Sequence, residues 1–185
     1  MLAKSRYFLR NDLSNLLTLY HSIFSSHMLY GCQIWGKFEN NIVKKICTLQ
    51  NEAIRLISFA DQTRTYEHTS HIYNDLNILK ISDIITLKNL LFIHDYFNHK
   101  LPESFEGYFK LTSDMHSHNL RNSTHGQIFV PVTESVKYGR NSIKLKAILS
   151  WNHFAKQFPN ENFLHYPQRK FKAFVTNKMF EKYYQ

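Results

Sequence analysis

Residues 41–59 read NIVKKICTLQNEAIRLISF, and their spacing decides the fold class. Ile42, Ile46, Leu49, Ala53, Leu56 and Ile57 recur at intervals that place them on one side of a helix. Lys44, Thr48, Asn51 and Arg55 recur on the other side, at i, i+4, i+7 and i+11. The second stripe has two readings. It is either a solvated polar face or a face that follows phosphates.

Working outward, Asn11 and Asp12 are placed to cap a first helix carrying Leu13, Leu16, Leu17, Tyr20, Ile23 and Phe24 at helical spacing. It runs toward Tyr30-Gly31, and Gly31 and Gly36 frame a turn at Trp35. Residues 61–70 read as a loop, followed by a short helix over about 70–76. Ser82 and Asp83 then cap a third long helix that reaches Phe97. Its apolar residues surround nearly the whole wheel, the pattern of a helix at the centre of its domain. Leu101-Pro102 ends it. Residues 110–126 are polar, histidine-rich and aperiodic, and read as a loop.

Residues 127–133 and 135–145 read as two short strands of a hairpin, interrupted by Pro131 and turned near Gly139. A helix over about 146–158 carries Trp151, and Pro167 suits the first position of a last helix ending near Tyr183. Trp35 and Trp151 are assigned to the core. The expected fold is therefore mainly α, a helical domain with one small β-hairpin in the C-terminal third. A division at residue 110 separates a helical region, 1–110, from a C-terminal extension, 111–185, with the hairpin and basic helices, packed as one unit.

The chain has 185 residues, 43% of them hydrophobic and 15% aromatic, with a formal net charge of +9. Such a composition supports a packed core and argues against wholesale disorder. No apolar run approaches the roughly 18 residues of a membrane span, and the start lacks a signal-peptide stretch. The expectation is a nuclear or cytoplasmic protein, neither secreted nor membrane-bound, with Cys32 and Cys47 as reduced thiols. The positive charge is uneven. Residues 1–60 are net +4, residues 61–136 net −3, and residues 137–185 net +8. A basic terminal quarter suits phosphates or another anionic surface.

Local motifs speak against an autonomous enzyme. No two acidic residues are adjacent, and Glu103 and Glu106 come nearest to a pair. Two-metal phosphoryl transfer needs carboxylates that share ions. Five scattered glycines form no phosphate loop. The close histidine pairs, His68 with His71 and His116 with His118, lack a metalloprotease pattern, and neither cysteine has a CxxC partner. No GxSxG nucleophile turn occurs. The sequence thus offers no catalytic residue, no metal ligand set and no cofactor.

Several blocks in order resemble one family. Leu19-Tyr20-His21-Ser22-Ile23, Tyr30-Gly31, Trp35-Gly36 and the run from Leu49-Gln50-Asn51 to Leu56-Ile57 form the first. They resemble the segment downstream of the palm in non-LTR retrotransposon (LINE- and jockey-like) reverse transcriptases. Leu76 to Ile84, continuing through Phe97-Asn98 to Leu101-Pro102-Glu103-Ser104-Phe105, is similar to the next block. His118-Asn119-Leu120-Arg121-Asn122-Ser123 resembles the family's His-x-Tyr-x-Thr-Arg stretch, with Leu120 in the threonine's place. Tyr138-Gly139, Ser142-Ile143 and Trp151-Asn152 resemble its last blocks.

The resemblance implies a thumb and C-terminal extension of an RNA-directed DNA polymerase, from a truncated element, a fragmentary gene model or a domesticated piece, since Met1 falls inside the family's aligned region. The family's palm aspartates and their Mg2+ belong upstream, in a missing palm domain, so no catalytic residue carries over. What is implied is a fragment inactive alone that holds RNA/DNA template–primer non-specifically. Lys44, Thr48, Asn51 and Arg55, with Arg140, Lys144, Lys146, Arg169, Lys170 and Lys172, are the candidate phosphate contacts. Recognition would be led by duplex shape. The alternative is a helical protein-interaction module that binds no nucleic acid.

Overall fold

A computed structural model describes residues 12–36, 41–58, 69–115, 126–132, 139 and 141–184. Asp12 opens the first helix as the sequence indicates, its Oδ1 accepting from Asn15 N at 3.0 Å. Helix α1 (Leu13–Leu19) passes through a π turn (Tyr20–Ser25) into α2 (Ser26–Leu29). The chain then reverses at Gly31, whose φ of +58° lies in the left-handed region that suits glycine. The short α3 (Cys32–Trp35) ends at Gly36, where a Cβ would stand 2.5 Å from the Cys32 carbonyl oxygen and 2.6 Å from Ile85 Cδ1. Only glycine fits there.

Helix α4 (Asn41–Ser58) is followed by α5 (Ser70–Asp75) and α6 (Ile81–Phe97). After these come α7 (Thr112–Met115), α8 (Ile143–Gln157) and α9 (Gln168–Glu181). The chain divides into two compact units, Met1–Ile85 with Asn177–Gln185, and Thr86–Thr176. Among the described residues no helix is long and apolar enough to cross a membrane.

In the first unit, Ala53, Ile54 and Ile57 of α4 pack with Leu16, Tyr20, Ile72, Tyr73, Ile78 and Tyr183. The buried face of α4 is rotated from the one its apolar spacing indicates. Leu49 and Ile42 are 54% and 49% exposed, whereas Gln50 is buried. The cause is the glutamine's carboxamide. Its Nε2 donates to Tyr20 OH at 3.0 Å and to Leu79 O at 2.9 Å, and its Oε1 accepts from Ile81 N at 2.8 Å. Three hydrogen bonds in a dry setting fix the helix rotation more firmly than the exposed Leu49 and Ile42 can oppose it.

The second unit is built on phenylalanine. Phe154 lies against Phe158 and Phe163, with centroids 5.0 and 5.1 Å apart, and Trp151 meets Phe171 at 5.7 Å. The buried His94 stacks on Phe171 at 4.7 Å, and its Nε2–H donates to Tyr166 O at 2.9 Å.

Among the described residues the expected hairpin does not form, while the mainly helical class holds; positions 133–138 and 140 of the expected strands lie outside the described residues. Among the described residues there is no strand, only an isolated antiparallel bridge between Leu111 and Ile128. Residues 143–145, taken as strand from the sequence, are instead the first turn of α8. Ser142 caps that turn, its hydroxyl accepting from Leu145 N at 3.2 Å. The extended residues near Ile128 find their partners elsewhere. Phe129 N donates to Lys110 O, and Thr112 N to Gln127 O, both at 2.9 Å. On the other edge, Asn152 accepts from Ile128 N at 2.9 Å and donates to Ile128 O at 2.8 Å. One carboxamide thus does the work of a neighbouring strand, and Trp151 Nε1 adds a bond to Gly126 O at 2.8 Å. The alternation in sequence reflects an extended segment held by residues 110–112 on one edge and by Asn152 of α8 on the other.

Candidate nucleic-acid interface

The α4 stripe is split by its surroundings. Lys44 and Thr48 are exposed, but the Thr48 hydroxyl donates to Lys44 O at 3.1 Å. Its proton is thereby used within the helix, and a phosphate accepts rather than donates. Asn51 turns toward α5. Its Oδ1 accepts from Tyr73 OH at 2.9 Å and from Thr69 Oγ1 at 3.2 Å. Arg55 is half-buried, and its charge bears on the Tyr73 phenol, lowering a pKa that burial, followed by Tyr20 and Cys47, raises above its ordinary value. Lys45, not singled out from the sequence, is exposed beside Lys44.

The C-terminal candidates on α9 are held out by what lies beneath them, whereas Lys144 on α8 is half-buried. Phe171 and Val175, four apart on α9, are fully buried, which turns Arg169, Lys170 and Lys172 to solvent. The α9 start is fixed by Phe171 N donating to Pro167 O at 2.9 Å, so Pro167 stands just before the helix. The Lys170 ammonium sits 4.2 Å from the Tyr166 ring centroid, and Lys144 sits 4.5 Å from that of Tyr108. Lys146 is half-buried. Arg140, His68, His116 and His118 lie outside the described residues. The α4 candidates belong to the first unit, and those from Lys144 to Lys172 to the second.

Among the described residues no three His, Cys, Asp or Glu side chains gather as they would around a metal ion. Neither Cys32 nor Cys47 forms a disulfide. Burial pushes the Cys47 thiol up, with Asp83 adding to the rise and Lys80 opposing it. Trp151 is buried, and the half-buried Trp35 donates from Nε1 to Tyr30 O at 2.9 Å.

The polar residues whose structural role the sequence did not indicate are the buried Gln50 and His94 and the half-buried Asn152, which organise the scaffold that presents the cations. The available signal was a polar residue within an apolar face, as Gln50 is beside Ala53, Ile54 and Ile57.

Comparison with known proteins gives one relationship to part of the chain. A stretch of 74 residues, 40% of this chain, is 34% identical to the probable RNA-directed DNA polymerase from transposon X-element of Drosophila melanogaster. The match spans 8% of that protein's length. No family model and no solved structure matches the chain. Part of the chain is thus related to a mobile-element RNA-directed DNA polymerase.

Proposed function

We propose that this chain is a non-catalytic piece of a non-LTR retroelement RNA-directed DNA polymerase and grips RNA/DNA template–primer without reading its sequence. In this reading residues 1–110 form a thumb-like region and residues 111–185 a C-terminal extension. The palm, with its aspartates and Mg2+, lies in another part of the longer protein, which acts in the nucleus or cytoplasm. The observation that carries the reading is the 74-residue similarity to a transposon polymerase. The exposed row Arg169, Lys170 and Lys172 on a helix anchored by Phe171 and Val175 supports it. Ammonium and guanidinium groups on a rigid helix suit phosphates, whereas base reading would need side chains aimed into a groove.

The test is fluorescence anisotropy on an RNA/DNA heteroduplex across a salt series. Binding through Z phosphates gives a log–log slope of about −0.9Z on duplex DNA. Replacing Arg169, Lys170 and Lys172 together by Ala should make that slope shallower by about 2 to 3 and weaken all sequences alike. A flat profile in the parent chain would reject the reading and favour a protein-interaction module. Primer extension by the chain alone, supplied with Mg2+, should yield no product; extension would overturn the non-catalytic assignment.

A further inference from the structure

One cleft of the second unit runs against the positive charge of the chain. A cleft of about 590 Å³ opens beside the end of α6. Tyr96, Phe97, Phe105 and Phe109 supply aromatic lining, and Leu101 and Pro102 extend the apolar surface. Glu103, Glu106 and Asp114 line it as well, against a single lysine, Lys110, and His99. With three acidic residues and one lysine in its lining, the cleft is anionic within a protein of net charge +9.

Its walls are set by the fold. Tyr96 OH donates to Phe109 O at 3.1 Å, and the Tyr96 ring meets Phe97 and Phe109 edge-on at 5.0 and 4.9 Å. A 3-10 turn (Glu103–Phe105) contributes further lining, closed by Phe105 N donating to Pro102 O at 3.0 Å and Glu106 N to Glu103 O at 2.8 Å. Gly107, with φ +69°, lets the chain turn back toward Phe109. Such a site needs little ordering when a ligand enters.

The chemistry selects the ligand. A phosphate or a nucleotide is repelled by the carboxylates. A hard divalent cation keeps its water and gains nothing from aromatic walls. A guanidinium is weakly hydrated, stacks on aromatic faces and pairs with carboxylates through its planar fork. We propose that this cleft binds an arginine side chain from a basic peptide segment of a partner protein. The site is separate in chemistry from the phosphate contacts above, and it makes the same chain a receptor for cations as well as anions.

The experiment titrates the full chain with a blocked Gly-Arg-Arg-Gly peptide and follows the amide resonances of Phe105, Glu106 and Lys110 by NMR. The comparison peptide carries citrulline, which keeps the shape of arginine and lacks its charge. Saturable shifts at these residues are expected, with the citrulline peptide about tenfold weaker or more. The exposed pair Glu103→Gln with Glu106→Gln should weaken the arginine peptide by a similar factor, and Lys110→Glu should tighten it a few-fold. Equal affinity for the citrulline peptide, shifts confined to residues outside the cleft, or weaker binding by Lys110→Glu would each overturn the proposal. No nucleic acid enters this test, so its result is independent of the polymerase reading.

Discussion

The two units solve the same packing problem with different aromatic residues. The first places tyrosines in its core, and every phenol then needs a partner. Tyr20 OH accepts from Gln50, Tyr73 OH donates to Asn51, and Tyr183 OH donates to Asp83 while accepting from Lys80 N at 2.9 Å. The second unit packs Phe154, Phe163 and Phe171, which carry no polar tip. Its polar work falls on a few side chains that serve the backbone: Asn152 on Ile128, Trp151 on Gly126, and His94 on Tyr166. Tyrosine thus gives the first unit directional cross-links and a sensitivity to alkali. Phenylalanine gives the second a dry core whose loops must be clasped one at a time.

The largest effect is expected at Trp151→Ala. The indole is 1% exposed, touches Phe171 and holds Gly126, so about 3–5 kcal/mol should be lost in urea unfolding. A loss under about 1 kcal/mol would show that the second core repacks freely. Next comes Gln50→Met, which keeps the volume and removes the three hydrogen bonds. Leaving Ile81 N buried without its acceptor should cost about 3 kcal/mol. A near-neutral result would mean that α4 is oriented by apolar packing alone.

Asn152→Asp sharpens the contrast further. The carboxylate can still accept from Ile128 N but faces Ile128 O with no proton to donate. About 2 kcal/mol should be lost, with faster amide exchange near Ile128. Unchanged exchange would show that the Leu111 bridge suffices to hold the segment.

Alkaline pH tests the buried phenols of the first unit. Burial is the first cause that raises Tyr20, Tyr73 and Tyr183 above the ordinary value of 10.0, and the hydrogen bond to Asp83 adds to the rise at Tyr183. The unfolded chain therefore releases these protons before the folded one does. Stability from this source is complete below about pH 10 and falls as pH rises above it, by up to about 1.4 kcal/mol per pH unit for each tyrosine. In the second unit the Tyr166 phenol is raised by its hydrogen bond to Glu161, followed by burial. Urea midpoints measured beside phenolate absorbance should decline together above pH 10; a midpoint that stays level would contradict the buried-phenol account. The smallest effect belongs to Leu49→Lys. With Leu49 54% exposed, thermal melting should register a change within about 0.5 kcal/mol, whereas a core leucine would cost several times that.

The helical elements were legible because their signals are local. Asp12 before Leu13, the three-and-four spacing over 41–58, and Pro102 after α6 each act within a few residues. The cations of the candidate interface were legible as residue types, but their freedom was not. The Asn51 carboxamide oxygen is taken by Tyr73, 22 residues away, which no spacing rule indicates. The hairpin misled because alternation shows that a segment is extended and says nothing of what pairs with it.

The sequence by itself determined that this chain is mainly helical, where several helices start and stop, and that its charge gathers at the C-terminal end. The tertiary structure decided which side of α4 is buried, which polar residues are spent inside, and what clasps the segment around Ile128. The reason is range. Helix formation reads neighbours three and four apart, whereas the Gln50 bond to Ile81 spans 31 positions and the Asn152 clasp spans 24. Those partners exist for each other only after the chain has folded.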